Sequence, residues 1–491
     1  MAIDTVEGLP QSAGAAQSAG LLARVAVAAG LGWSIAFVAI GVRWGLQLYG
    51  DGAIFSYAVV TQSAWAVHWH NIANRSFVYL VSLAPAEAYV RVTQDADGGI
   101  VLYGLLFFGA PLVGLAATFF ADRSAGRVIF TVACASTACL CPLVFGFPTE
   151  MWIAHAVFWP ALALAHGAPR TPGGFALVLA GLLALVFAHE AALVLAFAIV
   201  LTLLLRGRRD ARFVRGAICF ALVLAAWIAM KVVVPPDSYF APVLADARLN
   251  FFNPLRLADR VLLLIVAALA GYGVLSVALR CVGWRGGDLA AAVIVVAGLA
   301  AYWWLLAPPL HAEHRYFLRT LLVLALPCVG ALAALLVCVT GDAGAPPPDW
   351  ARPAARALAC LAAREGTLAI AMLIVVVVHA VETARFVNGW TDYVAAVRVL
   401  ANGPASDSQL GDSRFVSSAR IPAPLQELAW SSTTPFLSVL VSPGFRPVHL
   451  VVDPAAGYFW LPCALASANS AGAVPAPTRS MIQSYACQHR R

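Results

Sequence analysis

The sequence predicts an all-α polytopic membrane protein of about eleven transmembrane helices, ending in a small α/β extracytoplasmic domain. Three observations predict it. Of 491 residues, 62% are hydrophobic and 11% charged, whereas soluble globular chains lie near half and a quarter. Eleven apolar runs follow one another, most of them long enough for the ~30 Å hydrocarbon core. The arginines of the connecting segments fall mainly in every second loop, as the positive-inside rule requires of a multi-pass chain. The net charge of +7, in which Lys231 is the only lysine, is thereby a topological signal. Nucleic-acid binding needs basic residues along one face, so no nucleic-acid partner is expected.

Residues 1–20 are rich in Ala, Ser, Gly and Gln and lack a basic n-region, so they read as a disordered cytoplasmic tail before a retained first span. The runs lie at about 21–42, 98–121, 128–147, 151–166, 174–188, 191–205, 213–234, 259–280, 287–307, 317–340 and 367–386. An odd number of spans puts the two ends of the chain on opposite sides. Arg123, Arg127, Arg170, the cluster from Arg206 to Arg215, Arg280, Arg285, Arg352, Arg356 and Arg364 mark the cytoplasmic loops. Arg75, Arg91, Arg248 and Arg256 fall in the opposite set and count against this orientation. The runs at 174–188 and 191–205 are short. Joined as one helix, they would place His189 and Glu190 in mid-bilayer at high cost, so two short helices meeting at the outer face are expected. The 151–166 run is also short and contains His155, which suggests a tilted or broken helix.

Between the first two spans, Ser76 to Val92 reads as an amphipathic helix suited to the interface plane, with Phe77, Leu80, Val81, Tyr89 and Val92 on its apolar side. The loop at 341–366 reads as a linker with a surface helix. The segment 21–386 is the membrane module, and 387–491 forms the C-terminal domain. There the composition turns polar, Trp390 to Leu400 suggests a helix, and 436–441 and 448–452 are β-type runs. Cysteines within the apolar runs are read as small buried hydrophobes. Cys463 and Cys487 lie in the polar tail and are candidates for a disulfide if that tail meets an oxidising compartment.

The chemistry collects on the expected outer face. Asp51 follows the first span, between Gly50 and Gly52, and a carboxylate at a partly dehydrated rim can take a proton from a hydroxyl nucleophile. Its bland alternative is a solvated helix end. Glu150, between Pro148 and Trp152, offers a second carboxylate to orient an acceptor or a metal. His189 and Glu190 interrupt a long apolar stretch, where ionisable groups are functional by default. In His311-Ala312-Glu313-His314-Arg315-Tyr316, Arg315 offers a planar fork to a phosphate and the histidines add donors. His68 and His70 flank Trp69 and fit either substrate binding or interface anchoring. A divalent metal is left open, because adjacent residues on one loop make poor tetrahedral ligands.

These motifs resemble those of the polyprenyl-phosphate-sugar-dependent membrane glycosyltransferases of the GT-C superfamily. Gly50-Asp51-Gly52-Ala53-Ile54-Phe55-Ser56-Tyr57 is similar to the acidic motif opening that family's first extracytoplasmic loop, Glu150 to an acid in its next short external loop, and His311 to Phe317 to a late motif ending in Arg-Tyr or Arg-Phe. The match departs at Gly50, where many members carry a second acid. The resemblance implies a GT-C-like bundle in the bacterial inner membrane, with the N-terminus cytoplasmic and the C-terminus periplasmic. It implies transfer of a sugar from a polyprenyl-phosphate donor to a cell-envelope glycan, lipid or protein acceptor. Asp51 would then be the base, Arg315 with His311 or His314 would hold the phosphate, and Glu150, His189 and Glu190 would shape the acceptor side. Two other readings stand beside it: a lipid or solute transporter or flippase, which calls for inverted repeats, and a non-catalytic scaffold of an envelope complex.

Overall fold

The computed structural model describes residues 20–65, 75–234, 259–284, 286–310, 312–339, 349–404, 413–453 and 472–488, with the side chains of 312–317, 359–362 and 486–488 outside the description. All eleven apolar runs are helical. Seven of the described helices are long and apolar enough to cross a membrane: Leu21–Arg43, Ala125–Val144, Ala211–Val233, Arg260–Cys281, Gly287–Leu306, Leu318–Val339 and Glu365–Asn402. The pair Ala96–Phe108 and Ala110–Ala121, bent by 42°, makes up to eight. Gly109 and Pro111 sit at that bend, and a proline there leaves the preceding turn without its hydrogen bond. The protein is therefore a mostly helical, multi-pass membrane protein.

The other three runs are shorter helices. Met151–Gly167 has 17 residues and continues without a break through His155 and Pro160, which removes the broken form of the tilted or broken helix expected there. His155 is accommodated because its Nε2 pairs with Ser136 Oγ at 2.9 Å inside the core. Pro160 cannot bond back to the Ala156 carbonyl, and that carbonyl lies against Gly114, where any Cβ would collide. Pro172–Val186 and Ala192–Thr202 are separate helices joined by a turn that carries His189 and Glu190. The chain thus breaks at the two ionisable residues rather than carrying them within one continuous helix.

The interior is apolar and aromatic. Phe37 packs edge-on against Trp152 at 4.7 Å and at a tilt against Phe145 at 4.9 Å. The helices Ala211–Val233, Arg260–Cys281 and Gly287–Leu306 instead expose Val232, Val274 and Trp304, the surface that a hydrocarbon solvent accepts.

Ser76 to Thr93 is helical, as the amphipathic pattern predicts, but Tyr79–Leu83 forms a π turn within it. Leu80 and Val92 are exposed, and Phe77 and Val81 pack against the core. In the 341–366 segment a surface helix, Arg352–Ala362, rests Ala355 and Leu358 on the ends of the bundle at Leu205 and Ala334. The last span runs unbroken past residue 387 to Asn402, so the helix expected at Trp390 to Leu400 is its continuation.

Beyond it, Phe415–Ser417 pairs in parallel with Leu450–Val452, within the second expected β run. The first expected β run is a helix, Thr434–Leu440. Pro435 pre-sets its first turn, and Thr434 Oγ1 and the Leu437 amide bond back to Trp430 and Thr433. Its side chains are buried all round, so its sequence carries no period to separate strand from helix. Cys463 lies outside the described residues, and so does the side chain of Cys487.

Candidate functional site

Asp51 is the first residue of a ten-residue apolar helix, Asp51–Val60. Gly50 before it holds φ +56° and ψ −133°, a conformation that L side chains avoid. Gly52 after it packs against the Gln47 carbonyl and Pro148 so closely that no Cβ fits. The two glycines thus turn the chain sharply at the end of the first span and press the carboxylate inward. Tyr49 locks the turn from behind, with its ring edge-on to Phe147, Phe386 and Trp390 and its hydroxyl accepting from Trp430 Nε1 at 3.3 Å. The C-terminal segment is therefore part of the scaffold of Asp51. Tyr57 against Phe436 at 5.2 Å, and the Ala473 amide on the Val60 carbonyl at 3.0 Å, extend the same contact.

Four other segments converge around Asp51. Glu150 is the residue before Met151–Gly167 and is nearly fully buried. Arg75 precedes the Ser76 helix and bridges two carboxylates, its Nη1 to Glu150 Oε1 at 2.5 Å and its Nε to Glu190 Oε2 at 2.9 Å. The Phe77 amide donates to the Phe187 carbonyl at 3.1 Å, which fixes the Arg75 segment to the turn holding His189 and Glu190. His189 Nδ1 accepts the Ala191 amide at 3.1 Å, and its Nε2 is buried without a partner. Arg319, on the Ala312–Val339 helix, adds its charge to the field at both Asp51 and His189.

The electrostatics follow from burial and from this charge order. Burial, with the Glu150 charge beside it, pushes the Asp51 carboxyl up to about 6, and Arg319 and Arg75 only partly offset the rise. Burial acts upward on Glu150 and Glu190 too, but the Arg75 guanidinium prevails, holding Glu150 below its ordinary range and Glu190 at about 2. Arg75 itself is held well above its usual value by the two carboxylates, against the opposing effect of its own burial. His189 is lowered to about 3, first by burial and then by Arg75, so it is neutral at physiological pH. One carboxyl is thus poised near neutrality beside a pair of carboxylates fixed in the ionised form.

Of the residues singled out in the sequence, Asp51, Glu150, His189 and Glu190 come together here. His68, His70 and His311 lie outside the described residues. Glu313, His314, Arg315 and Tyr316 occupy the opening of the Ala312–Val339 helix rather than a loop, with side chains outside the description.

Two members of the site were missed. Arg75 looked like a stray exception to the charge rule, and that exception was its signal. Arg319 sits four residues after Arg315 inside an apolar run, where a charge marks function.

Among the described residues, no group of three or more His, Cys, Asp or Glu side chains is arranged to hold a metal ion. Glu150 and Glu190 are committed to Arg75, so these carboxylates do not fit as metal ligands beside Asp51.

No family model, no curated protein and no solved structure matches this chain.

Proposed function

We propose that the protein is an inverting membrane glycosyltransferase, one that moves a sugar from a polyprenyl-phosphate donor to an envelope acceptor at the extracytoplasmic rim of the bacterial inner membrane. One observation carries the reading: the half-buried Asp51 carboxyl, raised by desolvation and by the Glu150 charge, stands within the field of two arginines, Arg319 and Arg75, in a bundle of membrane-type helices. A donor whose prenyl chain lies in the bilayer needs its reaction centre at such a rim. The acceptor hydroxyl attacks the anomeric carbon, its proton passes to Asp51, and the bond from the anomeric carbon to the phosphate oxygen breaks in line. The anionic polyprenyl phosphate that leaves is met by Arg319, with Arg315 one turn earlier on the same helix.

In this reading the membrane module is GT-C-like with about eleven spans, counting the three short helices. The tail after residue 387 is a small periplasmic α/β domain, and the N-terminus is cytoplasmic.

The test is reconstitution of the full chain in vesicles with radiolabelled polyprenyl-phosphate sugars and an envelope lipid extract as acceptor. Sugar transfer that disappears in Asp51→Asn supports the proposal. Transbilayer movement of the intact donor without transfer favours a flippase. A cellular phenotype unmoved by Asp51→Asn favours a scaffold. A chelation arm decides whether a divalent cation takes part.

A further inference from the structure

His189 and Glu190 each leave one polar atom unused. His189 Nδ1 accepts the Ala191 amide at 3.1 Å, which requires that nitrogen to carry a lone pair. The proton of the neutral ring therefore sits on Nε2, which is shielded from solvent and has no hydrogen-bond partner. Glu190 has given Oε2 to Arg75 Nε at 2.9 Å, while its Oε1 is likewise shielded and unpartnered. A neutral N–H donor and a carboxylate acceptor thus stand on neighbouring residues of one turn, both beside Arg75, with the Glu150 and Arg319 charges also acting on His189.

Two unpaired buried groups of opposite hydrogen-bonding sense call for a partner that accepts and donates at once. A hydroxyl does both, accepting from Nε2–H and donating to Oε1. A phosphodiester or fully ionised phosphate lacks the proton for Oε1 and would add a charge beside the Glu190 carboxylate, and an ammonium lacks the lone pair for Nε2–H. We infer that His189 and Glu190 form a subsite for a hydroxyl of a neutral polyol, most directly a ring hydroxyl of a sugar.

The turn is built to present this pair. The Ala191 amide fixes the imidazole tautomer and Arg75 fixes the carboxylate rotamer, so neither group needs to reorganise when the hydroxyl arrives. A buried pair shaped for a hydroxyl also rejects the deoxy analogue, which would leave both groups unmet. The inference deepens the glycosyltransferase reading, in that it assigns the contact that selects the sugar.

The test uses the full chain in nanodiscs free of glycoside detergent. Nitrogen-15 histidine spectra of wild type and a His189 variant read the tautomer, and Nε2–H is expected. Saturation-transfer spectra with methyl glycosides of glucose, mannose and galactose, and with their deoxy forms, read binding. His189→Asn keeps an acceptor for the Ala191 amide but withdraws the donor from the site, and its sugar affinity should fall about tenfold, the worth of one hydrogen bond to a buried group. His189→Gln keeps a donor at the Nε2 position and should retain most of the binding, while Glu190→Gln, which supplies a donor where an acceptor is needed, should lose it.

An Nδ1–H tautomer, equal binding in wild type and His189→Asn, or a fixed water holding both atoms in the presence of sugar overturns the inference. Sugar binding without any transfer from polyprenyl-phosphate donors overturns the enzyme reading and leaves the subsite standing. Transfer whose KM is unmoved in His189→Asn and Glu190→Gln overturns the subsite alone.

Discussion

The Cβ that Gly50 lacks would stand 2.6 Å from Cε2 of Phe147. That contact, with the φ of +56° at Gly50, explains why the motif carries one acid where a second would be read by resemblance. The turn that aims Asp51 inward admits no side chain before it.

Gly50→Asp should therefore fail as an attempt to restore two acids. Strain in the left-handed region and collision with Phe147 together cost roughly 2–5 kcal/mol. Thermal melting in detergent should show the loss, and Phe147→Ala should recover only the steric part. A Gly50→Asp protein as stable as wild type would show that the turn is not constrained as described.

Glu150 raises the Asp51 carboxyl through charge, so Glu150→Gln should lower it from about 6 toward its ordinary value. Burial persists in the variant, so part of the rise remains. An infrared titration of the Asp51 carboxyl stretch, taken as the difference from Asp51→Asn, reads the midpoint directly. In a transfer assay the acidic limb of the rate should move the same way.

Arg75→Ala leaves Glu150 and Glu190 buried beside one another without their shared cation. Breaking a buried ion pair from one side costs roughly 3–5 kcal/mol, and the unfolding midpoint should fall accordingly. Adding Glu190→Gln should return part of the loss by removing an uncompensated charge. Arg75→Lys keeps the charge but cannot hold both carboxylates as a fork does.

The helices were legible because helix formation within hydrocarbon follows from apolar run length: all eleven runs are helical, the 98–121 run as a bent pair, and seven or eight are long enough to span. His155 misled in the short run at 151–166 because its partner, Ser136, comes from a distant part of the sequence. The segment at 436–441 misled for the opposite reason: it is buried all round, so it has no polar face to betray its period. At the site, the carboxylates were visible because each interrupts apolar sequence. Arg75 was not, since counting arginines by loop ignores which of them are neutralised by a partner.

Trp430 joins the C-terminal segment to the turn of Asp51 by packing at a tilt on Phe147 at 4.9 Å and donating to Tyr49. Trp430→Phe loses the hydrogen bond and should cost about 1 kcal/mol. Trp430→Ala also removes the packing of a half-buried ring and should cost more, about 2–3 kcal/mol. Hydrogen exchange at residues 49–53 should speed up in the alanine variant, while the Arg260–Cys281 helix stays protected. Equal exchange in both regions would separate the tail from the site.

Asp51→Asn tests whether the site stores instability for use. The carboxyl is raised from 3.8 to about 6 in the fold, so its ionisation disfavours the folded state. The stabilising effect of the protonated form is complete below pH 3.8 and is lost as pH rises through about 6. At pH 8 the wild-type chain therefore carries a cost on the order of 3 kcal/mol that asparagine avoids. Asp51→Asn should melt higher than wild type at pH 8, its advantage should shrink to about half at pH 5, and activity should be lost at both. An asparagine variant less stable than wild type at pH 8 would mean that Asp51 is ionised without cost, and that the carboxylate is a structural anchor rather than a base.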